Sequence, residues 1–150
     1  MNDDFFILKP IGIMPTFHGG SLIKKIERYS NNGAATKYTR ILLEAYKKMQ
    51  KLRIKDPIDY DIHVPMIIEK NKIKDFIDLS LAPRSMYGNI YDIGGQNIED
   101  VKIYYSKKMQ FNSAINYKNL PFLSTEDESF NNILYFLEQL FSSPSKHELF

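Results

Sequence analysis

Between Ala34 and about Ile54 the apolar residues Tyr38, Ile41, Leu42, Ala45, Met49 and Leu52 fall within a ~100° arc of a helical wheel. The spacing predicts the longest helix of the chain, entered after the Asn31-Asn32-Gly33 punctuation and ended before Pro57. A second helix is predicted after Ser124 and Thr125, where Glu126, Asp127 and Glu128 form a capping-box start with acids at the positive end of the dipole. Phe130, Ile133, Leu134, Leu137, Leu140 and Phe141 supply its buried face, and Pro144 follows its end. Shorter helices are expected after Ser21, with Leu22, Ile23 and Ile26 inward, and over Asn71 to Leu79, with Ile73, Phe76 and Ile77 inward.

The remaining apolar positions read as strands. Phe5 to Leu8 is a continuous run ended by Lys9 and Pro10, the pattern of a strand buried on both faces, hence central in its sheet. Tyr60, Ile62, Val64 and Met66 alternate with Asp61, His63 and Pro65, the period of a half-buried strand. Pro65 lacks a ladder donor, which places that strand at an edge or a bulge. Val101 to Tyr105 and Met109 to Tyr117 predict two more strands, with Lys107 and Lys108 near their turn. Leu81 to Asp100 reads as a connection, with Gly88, Gly94 and Gly95 as turn residues needing positive φ. The expected class is α+β: one globular domain over residues 1–150, a mixed or antiparallel sheet of four to five strands packed with the long helix and the C-terminal helix.

Composition supports a packed chain. At 43% hydrophobic and 25% charged residues it is ordinary for a globular protein, and a chain of this size buries roughly 70% of the surface exposed on unfolding. The absence of cysteine excludes disulfides, thiolate zinc sites and thiol nucleophiles. Neither a signal-peptide pattern nor an apolar run long enough for a membrane helix is present, so a cytoplasmic location with no membrane partner is expected. Isoleucine outnumbers valine 19 to 2, a bias of AT-rich coding that suggests a bacterial or phage source.

Charge is distributed unevenly. Residues 24–55 carry ten of the twenty Lys and Arg but only Glu27 and Glu44, a local balance of 10 − 2 = +8 in a chain of net +2. On the long helix Lys37, Arg40, Lys47, Lys48, Lys51 and Lys55 share one arc, with Glu44 four residues before Lys48 as a supporting pair. A stripe of this kind is a solvated face, a protein-docking face or a phosphate track. Its Lys content, with few base-reading Arg, Asn or Gln, favours a protein over nucleic acid. Tyr87, Tyr91, Tyr104, Tyr105 and Tyr117, beside acids such as Asp92, Glu99 and Asp100, add interface-type aromatics. The expected partner-binding residues are Lys37, Arg40, Lys47, Lys48, Lys51, Tyr87, Tyr91 and Asp92.

Two constellations suggest chemistry. His18-Gly19-Gly20-Ser21 looks like a glycine turn that offers N–H groups to an oxyanion, with a serine hydroxyl nearby, but no G-x-S-x-G elbow accompanies it. Asp59, Asp61 and His63, at i, i+2 and i+4, would project from one face of a strand as metal ligands, although no further cluster completes the set. Glycine phosphate-loop motifs are absent, so no catalytic residue, metal or cofactor is assigned. In size, lack of cysteine, codon bias, mixed pattern and empty catalytic inventory the chain resembles the small cytoplasmic immunity proteins that neutralise bacterial toxins. That resemblance implies a non-catalytic inhibitor covering a cognate toxin's active site or substrate groove. The alternatives are a nucleic-acid-binding accessory protein using the basic stripe, and a small hydrolase or metal-dependent enzyme using Asp59, Asp61 and His63 or His18 and Ser21.

Overall fold

A computed structural model of the chain describes residues 5–31, 36–77, 81–103 and 121–143, and within 75–77 the backbone alone. It is an α+β structure that divides into two compact units, Ile13–Asp100 and Met1–Gly12 with Val101–Phe150.

In the second of these, β1 (Phe5–Ile7) pairs antiparallel with β5 (Phe122–Thr125), and β4 (Lys102–Ile103) pairs parallel with β5 on its other side. Among the described residues the order is β1-β5-β4, which puts the first strand at an edge rather than at the centre. Burial follows that order: Phe122 to Thr125 are buried at every position, whereas Ile7 is 47% exposed. Helix α5 (Asp127–Leu140) starts one residue after β5. Its cap is Glu126, whose backbone N–H donates to Ser129 Oγ in a reciprocal capping box. The buried Ser129 hydroxyl also donates to Ile103 O at 2.7 Å, tying the first helical turn to β4. Ile133 and Leu137 close the core with Ile103 and Leu123. Phe130, Leu134, Leu140 and Phe141, expected inside, are between 36% and 50% exposed.

The other unit is mainly helical. Helices α1 (Leu22–Asn31) and α2 (Lys37–Lys51) pack on each other, and α2 also packs on α4 (Pro83–Ile90), which packs on α3 (Lys70–Ile77). Thr36 caps α2, its hydroxyl accepting from Thr39 N. Leu22, Ile26, Leu42, Ala45, Met49, Ala82 and Met86 form the core. Tyr38 and Leu52, expected in that stripe, are 40% and 53% exposed. A small parallel sheet pairs β2 (Phe17–His18) with β3 (Gln96–Asn97).

Among the described residues the larger sheet therefore has three strands, fewer than the four to five expected. The expected strand Met109 to Tyr117, with Lys107, Lys108, Tyr104, Tyr105 and Tyr117, lies outside them. The Tyr60–Met66 strand does not form. That segment keeps the alternating burial, with Tyr60, Ile62 and Val64 each 3% exposed or less. Its backbone groups, however, are bonded by side chains instead of a neighbouring strand, as described below.

Helix α4 replaces the expected glycine turn. Gly94 and Gly95 have positive φ, as anticipated, but Gly88 is helical and marks a close approach: a Cβ there would lie 2.4 Å from the Tyr60 ring. Tyr60 is fixed by the bond from its hydroxyl to Gly94 O at 2.9 Å and is 1% exposed. We expect Gly88→Ala to lose about 2 kcal/mol, because overpacking a rigid ring outweighs the roughly 1 kcal/mol gain in helix propensity. Urea denaturation checks this, and a stabilised variant would show that the ring repacks freely.

Candidate functional site

The segment from Pro57 to Val64 crosses the helical unit and gathers its charged side chains. Near its start Asn89 of α4 closes a two-way clamp, its carbonyl accepting from Ile58 N and its amide donating to Ile58 O, both at 2.7 Å. Tyr60 N donates to Ser85 Oγ at 2.9 Å, and Ser85 Oγ donates to Asp61 Oδ2 at 2.5 Å. Arg84 then forks across two carbonyls, Nη1 to Ile62 O at 2.7 Å and Nη2 to Val64 O at 2.6 Å. These partners, at 84, 85 and 89, span α4 from its first turn to its last and supply much of what a neighbouring strand would have made, while Pro57 and Asp59 bond to the backbone of Gly19, Gly20 and Leu22.

At the centre is a buried ion pair. Lys25 Nζ of α1 donates to Asp59 Oδ2 at 2.7 Å and to Asp61 O at 2.8 Å, with side chains 9% and 2% exposed. Asp59 Oδ1 accepts from Asp61 N at 3.0 Å. Lys25 Nζ also lies 5.7 Å from the centroid of the Tyr38 ring of α2. In the sequence Lys25 belongs to a basic run and reads as solvated. The signal that marks it is its place three residues after Leu22 and one before Ile26, inside the apolar stripe of α1.

Asp59, Asp61 and His63 do not share a face. Asp59 turns to Lys25 and Asp61 to Ser85, while His63 meets Asp100 through Nδ1 to Oδ2 at 2.7 Å and backbone N to Oδ1 at 3.0 Å. Among the described residues no three His, Asp or Glu gather at metal-ligand spacing. At His18-Gly19-Gly20-Ser21 the two glycine N–H groups are already committed, Gly19 N to Asp59 O at 2.8 Å and Gly20 N to His18 Nδ1 at 3.0 Å. Neither is free to hold an oxyanion.

Burial pushes the Asp61 carboxyl above its ordinary value of 3.8, with Asp59 adding to the shift, while the Ser85 hydroxyl and the Lys25 and Arg84 charges pull against it. The folded state thus holds this proton more tightly than the unfolded chain. Its contribution to stability is fully present below 3.8 and is lost as pH rises through the raised folded value. Replacing Asp61 with Asn removes that loss. Between about pH 3 and pH 7 the denaturation midpoint of Asp61→Asn should shift in the variant's favour relative to wild type as pH rises. A difference that stays flat with pH would contradict this.

Five of the six residues of the basic stripe lie on α2, whereas Lys55 falls beyond its end at Lys51. Lys37, Arg40, Lys47 and Lys51 are exposed, Lys48 is half-buried, and none of the five forms an ion pair among the described residues. The anticipated Glu44–Lys48 pair is not made. Of the three other expected contact residues, Tyr87 is 3% exposed and enclosed, its hydroxyl accepting from Glu69 N at 3.3 Å. Tyr91 is half-buried under the Lys72 ammonium, 5.0 Å from its ring centroid. Asp92 is exposed on the turn after α4, at φ 46°. The structure brings Tyr87 and Tyr91 together, with centroids 5.0 Å apart.

No protein-family description, curated protein or solved structure matches this chain. Among the described residues no helix is long and apolar enough to cross a membrane.

Proposed function

We propose that this chain is a non-catalytic binding protein of the immunity type, which captures an acidic surface of a cognate toxin on the α2 face and covers its active site or substrate groove. The observation that carries the reading is a segregation of charge within one unit. Asp59, Asp61 and Asp100 spend their carboxylates on Lys25, Ser85 and His63, while Lys37, Arg40, Lys47 and Lys51 stay exposed and uncompensated among the described residues. Such a face steers association with an acidic partner and weakens with salt. The groups that resembled catalytic machinery are bonded within the fold, which favours binding over turnover.

The test uses the product of a toxin reading frame adjacent to this one. The two purified proteins should form a one-to-one complex, and co-expression should protect cells. Lys47→Glu combined with Lys51→Glu should slow association by about tenfold or more at low ionic strength, leaving the circular dichroism unchanged. Absence of both complex and protection would overturn the reading. So would salt-sensitive binding of DNA or RNA abolished by the same pair of changes, which would assign the stripe to nucleic acid.

A further inference from the structure

The Ile13–Asp100 unit holds an open cleft of about 670 Å³, apart from the stripe on α2. Its lining includes, from α1, Lys24 and Arg28 one helical turn apart with Tyr29 next to Arg28, and, from β3 and the residues after it, Asn97 and Glu99. Of the other charged residues in the lining, Lys25 is paired with Asp59, and Asp100 is hydrogen-bonded to His63. Lys24, Arg28 and Glu99 are exposed, and none is within 4.0 Å of an opposite charge among the described residues. Opposite signs thus line one cleft without closing it.

Both parts of this lining are anchored. Helix α1 is pinned by the Lys25–Asp59 pair and by Leu22 N donating to Pro57 O at 2.9 Å. The Glu99 part is pinned by Ile98 N donating to His18 O at 3.0 Å and by the two bonds of His63 to Asp100. A space preorganised in this way costs little to fill, and its volume lies in the range of small-molecule sites.

We propose that the cleft binds a small phosphate monoester bearing N–H donors, of the size of a nucleoside monophosphate. Two neighbouring cations match a dianionic phosphate better than a singly charged carboxylate, and Arg28 can grip it with a fork of donors. Glu99 accepts from an amino or amide group at the ligand's other end, with the Asn97 amide alongside. Tyr29, with the Arg28 guanidinium 5.6 Å from its ring centroid, offers an aromatic edge to a base.

Calorimetric titration with AMP, GMP, CMP and UMP, with inorganic phosphate as the anion-only probe, tests this. At least one nucleotide should bind with a Kd below about 1 mM and about tenfold tighter than phosphate. Lys24→Ala with Arg28→Ala, both exposed and remote from the core, should weaken it by about tenfold or more, and Glu99→Gln should weaken the nucleotide but not phosphate. No binding of any of the four at about 1 mM would overturn the proposal. Equal affinity for nucleotide and phosphate, or an unchanged Kd in the Lys24/Arg28 variant, would do the same.

Discussion

Asp59→Ala is expected to destabilise the Ile13–Asp100 unit by about 3–5 kcal/mol, the cost of leaving a buried ammonium without its counter-charge. Lys25 Nζ would retain only the Asp61 carbonyl at 2.8 Å and the Tyr38 ring at 5.7 Å. The same change frees Asp61 N, which now donates to Asp59 Oδ1. Lys25→Met should cost a similar amount by stranding the carboxylate. The double variant should lose clearly less than the sum of the two, because each single change already incurs the penalty of an unpaired charge. Guanidinium denaturation of all four proteins measures the coupling. A loss below about 1 kcal/mol for Asp59→Ala would mean that water reaches the pair and screens it.

The stripe of α1 marks Lys25 as a buried position, but nothing near it in the chain points to Asp59, and the reason shows where sequence reading succeeds and fails in this chain. Helices α2 and α5 were legible because their apolar residues repeat at helical spacing; their caps were not, since Thr36 caps α2 and Glu126, rather than Ser124 or Thr125, caps α5. Helix α4 was hidden. Its buried residues Ser85, Met86, Tyr87 and Gly88 are consecutive and give no stripe, and its N-cap is Ala82 at φ 46° with no capping side chain. Gly88 added a false turn signal, since a glycine required for close approach to Tyr60 looks the same in sequence as one required for positive φ.

The Tyr60–Met66 segment shows the complementary failure. Period-two alternation correctly reported which side chains are buried, because it reflects an extended backbone with one covered face. It carries no information on what satisfies the backbone. Here most of the partners are distant side chains: Arg84, Ser85 and Asp100 lie 20 to 37 positions further along the chain, and Lys25 lies 36 positions earlier. The shared face assigned to Asp59, Asp61 and His63 failed for the same reason, each side chain following its own distant partner. The exposed stripe needed no such knowledge: once α2 was recognised, its wheel positions fixed the placement of Lys37, Arg40, Lys47 and Lys51.

Arg84 is where that dependence on distant side chains can be tested most directly. Arg84→Ala should destabilise the unit by about 3 kcal/mol, since two charge-assisted bonds are lost and the carbonyls of Ile62 and Val64 are left beside buried side chains. The guanidinium is itself costly to hold. Burial lowers its pKa against the pull of Asp61, Asp59 and Asp100, and its buried Nε has no hydrogen-bond partner among the described residues. That cost keeps the net loss near the value for two charged bonds rather than well above it. Arg84→Lys should recover less than half of the loss, because one ammonium on a flexible stem cannot reproduce a fork set across carbonyls two residues apart. Amide hydrogen exchange gives the second readout. If the fork holds the segment, Arg84→Ala should accelerate exchange at Val64, whose N–H bonds locally to Ile62 O at 2.9 Å, well before it affects α2. Equal acceleration in both places would show that Arg84 supports the whole unit and not this segment in particular.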